Sequence, residues 1–502
     1  MPIDSLRSPF IFNLEGGLIL DTGVFGVTSG AAIQLVNFEP DISGGYRRIN
    51  GHTKWNSTAA NGTGKVIMSA ILGSSVVAAR NNTVSHATTG SSWTNIVTNR
   101  TSAGRYDHQR FNFGLGAGHS LVFVDGVNAA ATWDGTTYTL LNGSIGSGSG
   151  TAPTAPEKVE IFNDHVFFLQ GRTLTWTAPF STNDFTPANG AGQINLDCSG
   201  NGLKVFRNIL YIFCEDRIYK LIGTSIENFE LSFVTRNIGC ISGFSIQEVG
   251  GDVVFQAPDG LRTIAGTEKL GDVELASFSR NIHPRFDTDI TTSLIASVVI
   301  RGKTQYRSFF PDSEAQDTTS VFGNISVFKR KGWEFSDIRG FKPSSTDSYF
   351  ISNTETVIFG DYDGFIQQME SGNNLDGSNM TYIYQSPFIH FGDAGLRKIM
   401  ERAILNLTAE GAVTFNLNML YDFEDTNIPQ PEPTSITITP GAIYGTGAYG
   451  TSSYGGSFIP LTNTSVIGSG FVVSMKISGD SSSTPPFSVK GVELEFIPGG
   501  RN

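Results

Sequence analysis

Between Lys65 and Glu370 the chain repeats one phrase: a short apolar run, a polar turn, then a second short apolar run. KVIMSAILGSSVVAARNNTV turns at Gly73-Ser74, and HSLVFVDGVNAAATWDGTTYTLL at Asp125-Gly126 and Asp134-Gly135. KVEIFNDHVFFLQGRTLTWTA turns at Asn163-Asp164 and Gly171-Arg172, and NGLKVFRNILYIFCEDRIYKLIG at Arg207-Asn208 and Glu215-Asp216. GDVVFQAPDGLRTIAG and TVIFGDYDGFIQQME turn at Asp259-Gly260 and Asp363-Gly364. Gly, Asn and Asp accept positive φ, which closes two-residue hairpins with the twist that the strands require. Many small antiparallel sheets in succession predict an all-β protein built around a β-propeller. At about 40–50 residues per blade, residues 45–377 allow six or seven blades, and six is the expectation.

The pattern changes at both ends. Residues 1–44 stand outside the repeat and read as an extended arm with one or two strands, the compact core starting at Gly45-Tyr46. NGSIGSGSGTAPTAP, residues 142–156, reads as a loop between blades or an exposed insertion. From 378 to 502 six segments alternate apolar and polar residues, among them AVTFNLNMLYDF and FSVKGVELEFIP, and predict a β-sandwich. GLRKIMERAILNL is the nearest approach to a helix, and its second half alternates like a strand. A Tyr/Gly-rich loop over 424–460 spaces Tyr444, Tyr449 and Tyr454 five residues apart in a glycine matrix. Aromatic rings on such a loop suit contact with another chain or simply decorate a surface loop.

Only 16% of the residues are charged and Gly numbers 58, which suits a turn-rich all-β chain. The net charge of −12 argues against affinity for nucleic acid through phosphate neutralisation. Cys198, Cys214 and Cys240 are odd in number, without a CxxC pair or a nearby His at ligand spacing. Neither a disulfide nor a zinc site is expected, and a reducing compartment is. No segment approaches the roughly 20 apolar residues of a membrane span, and MPIDSLRSPF lacks the regions of a signal peptide, so a soluble protein made in a cytoplasm is expected.

Catalytic motifs do not emerge. GxSxG, GxxxxGK[ST], HExxH and a helix-opening GxGxxG are all missing from the sequence, and no cofactor is expected. FGLGAGHS precedes a strand rather than a helix, so it offers phosphate no helix terminus. Asp107 and His108 are adjacent on a strand and point to opposite faces, which excludes a dyad. His165, Asp134 and the Asp361/Asp363 pair read as turn residues; GDYDG lacks the further oxygen ligands a calcium loop needs. Basic residues cluster once, in GGYRRINGHTKW: Arg47, Arg48 and Lys54 could touch phosphate, or form a salt-bridge strip between blades or subunits, which is the favoured reading.

That same segment carries a resemblance. NLEGGL, then LVNFEP, then GGYRRINGHTKW resembles the start of the tail-hub or nozzle proteins of short-tailed phages, the packaged-DNA stabilisation proteins, with tail tubular protein B as a more distant branch. Gly45, Tyr46, Arg48, Gly51 and Thr53 match the phrase that leads into the first blade of that family. FRNILYIFCEDRIYKLIG, NIGCISGFSIQEVGGDVVFQAPDGLRTI and VKGVELEFIPGG are similar to later stretches of it. The resemblance implies a non-enzymatic virion protein, made in the bacterial host cytoplasm. It would form a ring, hexameric in that family, beneath the portal and adaptor ring, and bind a tail needle or plug and tail spikes or fibres. Double-stranded DNA would pass without sequence-specific contact. The rival expectation is a carbohydrate-binding or glycoside-cleaving propeller, which needs converging carboxylates.

Overall fold

The computed structural model describes residues 8–23, 26–102, 104–113, 118–143, 150–265, 277–286, 295–310, 322–329, 332–438, 461–482 and 485–501. The chain is all-β, with a propeller joined to a β-sandwich. Six small sheets form six blades: 66–97, 107–140, 158–195, 200–235, 247–263, and 345–369 with His52–Lys54 added. Between the last two, the four strands of 296–339 occupy a place in the same ring, with Ala296–Ile300 packed between Gln247–Val249 and Ser345–Ile351.

Four of the expected two-residue hairpin turns form, at Gly73-Ser74, Asn163-Asp164, Gly171-Arg172 and Arg207-Asn208; Asp125-Gly126, Asp134-Gly135, Glu215-Asp216 and Asp363-Gly364 lie in loops of three to six residues, and Pro258-Asp259 rather than Asp259-Gly260 joins its two strands. Asn163-Asp164 and Arg207-Asn208 both have positive φ at both positions and join strands in register, Phe162 opposite His165 and Phe206 opposite Ile209. The ring closes through its own beginning: His52–Lys54 pairs with Ile366–Met369 as the outer strand of the last blade. Closure of this kind fixes the first and last blades to each other and leaves no gap in the ring.

The sandwich uses the arm. Gln34–Val36 lies between Gly332–Arg339, to which it is parallel, and Thr381–Gln385, to which it is antiparallel. One nine-stranded sheet therefore runs from the 296–339 strands through the arm into the sandwich. The facing sheet holds Ser8–Asn13, Phe38–Pro40, Tyr46–Arg48, Leu396–Ala409, Leu461–Ser465 and Phe487–Arg501. A single apolar cluster fills the space between, with Phe38, Leu35, Leu405, Phe415, Ile477 and Phe487 among its buried members. Phe415 stacks on Phe487 at 5.3 Å and Phe38 meets Tyr382 edge-on at 5.6 Å, arrangements that aromatic quadrupoles favour.

Two expectations change and one open reading is decided. The arm is part of the compact core, which starts before Gly45, because the strands of the sandwich need partners at both sheets. Leu396–Ala409 is one 14-residue strand, so the alternation read in the second half of that segment extends through its first half as well. Cys198 and Cys214 form a disulfide with a Cα–Cα distance of 6.2 Å, which overturns the expectation of none. The hairpin of Gly200–Phe206 and Ile209–Cys214 brings Gly200 opposite Cys214, and Cys198 lies two residues beyond. Cys240 is free and buried.

Candidate functional site

The inner strands of the blades surround a cavity of about 260 Å³ on the propeller axis. Strand alternation decides where its charges go. On Asp107–Phe111, Asp107 and Gln109 face the following blade: Asp107 accepts the Val159 amide at 3.0 Å, and Gln109 Nε2 donates to Glu160 at 3.2 Å. His108 and Arg110 face the other way. Arg110 donates to Asp347 and, at 2.6 Å, to the Ile71 carbonyl, while His108 Nε2 lies 3.8 Å from the Asp347 carboxylate. Asp107 and His108 thus form no dyad, in keeping with their alternation.

The environments of the two buried carboxyls differ. Burial alone would push the Asp347 pKa up, but the Arg110 guanidinium, His108 and the Ile71 amide overcome it and hold the carboxyl well below the usual range. Glu160 has Gln109 and, at 3.9 Å, the Lys204 ammonium as partners; burial prevails and pushes its pKa up to about 7. Two cations share one aromatic ring. The Lys158 ammonium lies 3.4 Å and the Arg105 guanidinium 3.9 Å from the Phe244 ring centroid. Burial pushes the Lys158 pKa down, and that of Arg105 down to about 10.

The residues singled out in the sequence lie elsewhere. Arg48 is fully enclosed and donates to the Asn373 carbonyl at 2.9 Å, so it presents no surface to a partner. Arg47 bonds Glu39 at 3.1 Å and Glu410 at 2.6 Å, linking arm and sandwich within the chain. Lys54 pairs with Asp376 at 3.1 Å and covers the Phe365 ring at 4.3 Å. Tyr444, Tyr449 and Tyr454 lie outside the described residues. Asp361 caps its own turn, accepting the Asp363 and Phe365 amides at 3.0 and 2.7 Å. His165 is buried with Nδ1 2.5 Å from the Thr177 carbonyl. Among the described residues no group of three or more His, Cys, Asp or Glu side chains is placed to hold a metal.

The axial charges were overlooked in the sequence, although a signal existed. Lys158, Glu160, Lys204 and Asp347 interrupt strands that are otherwise apolar or neutral, KVEIF, GNGLKVF and STDSYFI. Each of those strands opens a blade.

A second buried charge cluster joins the two regions. Arg307, with no exposed surface, donates to Glu370 at 2.6 Å and Glu39 at 3.2 Å. Lys303 adds a bond to Glu39 at 2.7 Å and another to Glu370, and Gln305 donates to Glu39 at 2.9 Å. The arm, the 296–339 strands and the last blade meet at this point.

No protein-family model matches the chain, and no curated protein matches it. Among solved structures, the computationally designed Ika8 protein is similar over 63% of this chain and 99% of its own, at 10% identity and a TM-score of 0.36. The AfRom2 CNH domain is similar over 64% of this chain and 100% of its own, at 9% identity and a TM-score of 0.39.

Proposed function

We infer that this chain is a structural subunit of a short phage tail. In this reading it forms a ring, six copies by the family resemblance, that extends the portal–adaptor channel, retains packaged DNA and passes it during ejection. Its partners are other copies of itself, the adaptor ring, a needle or plug, and spikes or fibres. The observation that supports the reading best is the continuous joint between propeller and sandwich. One sheet crosses from one to the other and a buried ion cluster clamps the same boundary, so a load on one region is transmitted to the other. A subunit that withstands internal DNA pressure needs such stiffness. The net charge of −12 would keep passing DNA from sticking.

Native mass spectrometry, alone and with a purified portal–adaptor complex, tests the reading. Six copies, or addition of a ring to the complex, is the expected result. A stable monomer that never joins the complex would overturn it. The rival glycoside-cleaving reading draws on one observation, the raised pKa of Glu160 with the Asp107 carboxyl nearby. A hydrolysis screen over glycans separates the two, since the tail subunit breaks no bond.

A further inference from the structure

We propose that the axial cavity binds a small free oxyanion, of the inorganic phosphate class, with the Lys158 ammonium and the Arg105 guanidinium as the cations that hold it. This goes beyond the ring-subunit reading and does not depend on it.

The argument begins with the charge balance. Arg105, Arg110, Lys158, Lys204 and Arg301 line the cavity, against Asp107, Asp347 and the neighbouring Glu160. Arg110 is matched by Asp347, Lys204 by Glu160, and Arg301 by Glu355 at 3.5 Å. Arg105 and Lys158 remain, with the Asp107 and Glu157 carboxyls nearby but neither forming an ion pair with them among the described residues. A cavity with surplus positive charge in a chain of net −12 attracts anions. The high pKa of Glu160 removes part of the negative charge near neutral pH and enlarges that surplus.

The second strand of the argument is construction. Lys158 is 9% exposed, and its ammonium has no hydrogen-bond or ion-pair partner among the described residues; it meets only the Phe244 ring. Arg105 spends one bond on the Ile295 carbonyl, and a guanidinium has five N–H donors. Two like charges over one ring repel each other, and an anion in the cavity they both line would offset the repulsion and accept the hydrogen bonds that Lys158 lacks. The ring itself is held: Ser297 Oγ donates to the Phe244 carbonyl at 2.7 Å, and Tyr306 to the Ser245 carbonyl at 2.9 Å. Gly243 makes room, since a Cβ there would lie 3.0 Å from Lys158 Cε and 2.0 Å from the Asn201 carbonyl oxygen. A cavity of about 260 Å³ takes a small oxyanion and excludes a nucleic-acid duplex.

Isothermal titration calorimetry of the full chain with sodium phosphate at pH 7, at constant ionic strength in sodium chloride, tests the site. The expected result is a saturable heat with one site per chain, weakened about tenfold or more in Lys158→Met and in Arg105→Gln. Arg105 precedes the Asp107–Phe111 strand and Lys158 opens the Lys158–Phe162 strand of the next blade, so if one variant fails to fold the other still reports, with the wild-type melting curve as the check on folding. Absence of saturable heat for the wild type up to about 10 mM phosphate would overturn the proposal. So would an affinity unchanged in the folded variants, or heat that equimolar chloride abolishes.

Discussion

At the propeller axis the first strands converge on charged side chains: Lys158, Glu160, Lys204, Arg110 and Asp347 stand within or beside one small cavity. In the sandwich the two sheets converge on Leu, Ile, Val and aromatic rings, with Leu405, Phe415 and Phe487 almost free of solvent. Both regions are antiparallel sheets made of alternating strands, so local structure does not explain the contrast. Packing geometry does. Two sheets face to face leave a layer about 10 Å deep that only interdigitating apolar chains fill. Strands arranged around an axis leave a core of space that side chains line without filling, and there charges can pair or meet water. The propeller's apolar core lies between its blades instead, as in the cluster of Leu169, Leu210, Ile212 and Tyr219. The difference teaches that apolar packing and charge are separated in this chain: the sandwich and the interblade layers carry the core, and the axis collects the charged side chains.

The largest expected effect comes from the joint between the regions. Arg307→Ala would leave Glu39 and Glu370 buried with fewer partners, at a cost of about 3–5 kcal/mol. Guanidinium denaturation should show that loss, together with separate transitions for the two regions. A single transition with unchanged midpoint would show that the shared sheet alone couples them.

Within the sandwich, Leu405→Ala should cost about 3 kcal/mol through lost burial and a cavity, whereas Leu405→Met should cost less than about 1.5 kcal/mol. Equal effects of the two changes would show that this core is not tightly packed.

The axis should respond to pH where the sandwich does not. The folded state holds the Glu160 proton more tightly than the unfolded chain does, with a pKa of about 7 against 4.5. Its contribution is therefore full below pH 4.5 and is lost as the pH rises toward 7. Glu160→Gln should flatten that part of the stability profile and raise stability at pH 8 by about 3 kcal/mol. A wild-type profile with no slope attributable to Glu160 across this window would contradict the assigned burial.

The smallest effect belongs to Lys54. Its pair with Asp376 is partly exposed, the two side chains being 37% and 30% accessible, and Lys54→Ala should change stability by less than about 1 kcal/mol. A larger loss in thermal melts would make this pair part of the ring closure formed by His52–Lys54.

Hairpins, blades and the sandwich were determined by the sequence itself, because turn chemistry and two-residue alternation act between neighbours. Asn163-Asp164 closes a hairpin wherever it stands between two such runs. What only the tertiary structure decided are the meetings of distant residues. Gln34–Val36 entered the joint because two unfinished sheet edges needed a strand, and Cys198 met Cys214 through the register of a hairpin. Arg47 and Arg48, conspicuous in sequence, were taken inside by Glu39, Glu410 and Asn373, whereas Lys158 and Arg105, inconspicuous in sequence, came to share Phe244. Local preference names the faces of a strand, and ring closure and sheet pairing decide what each face meets.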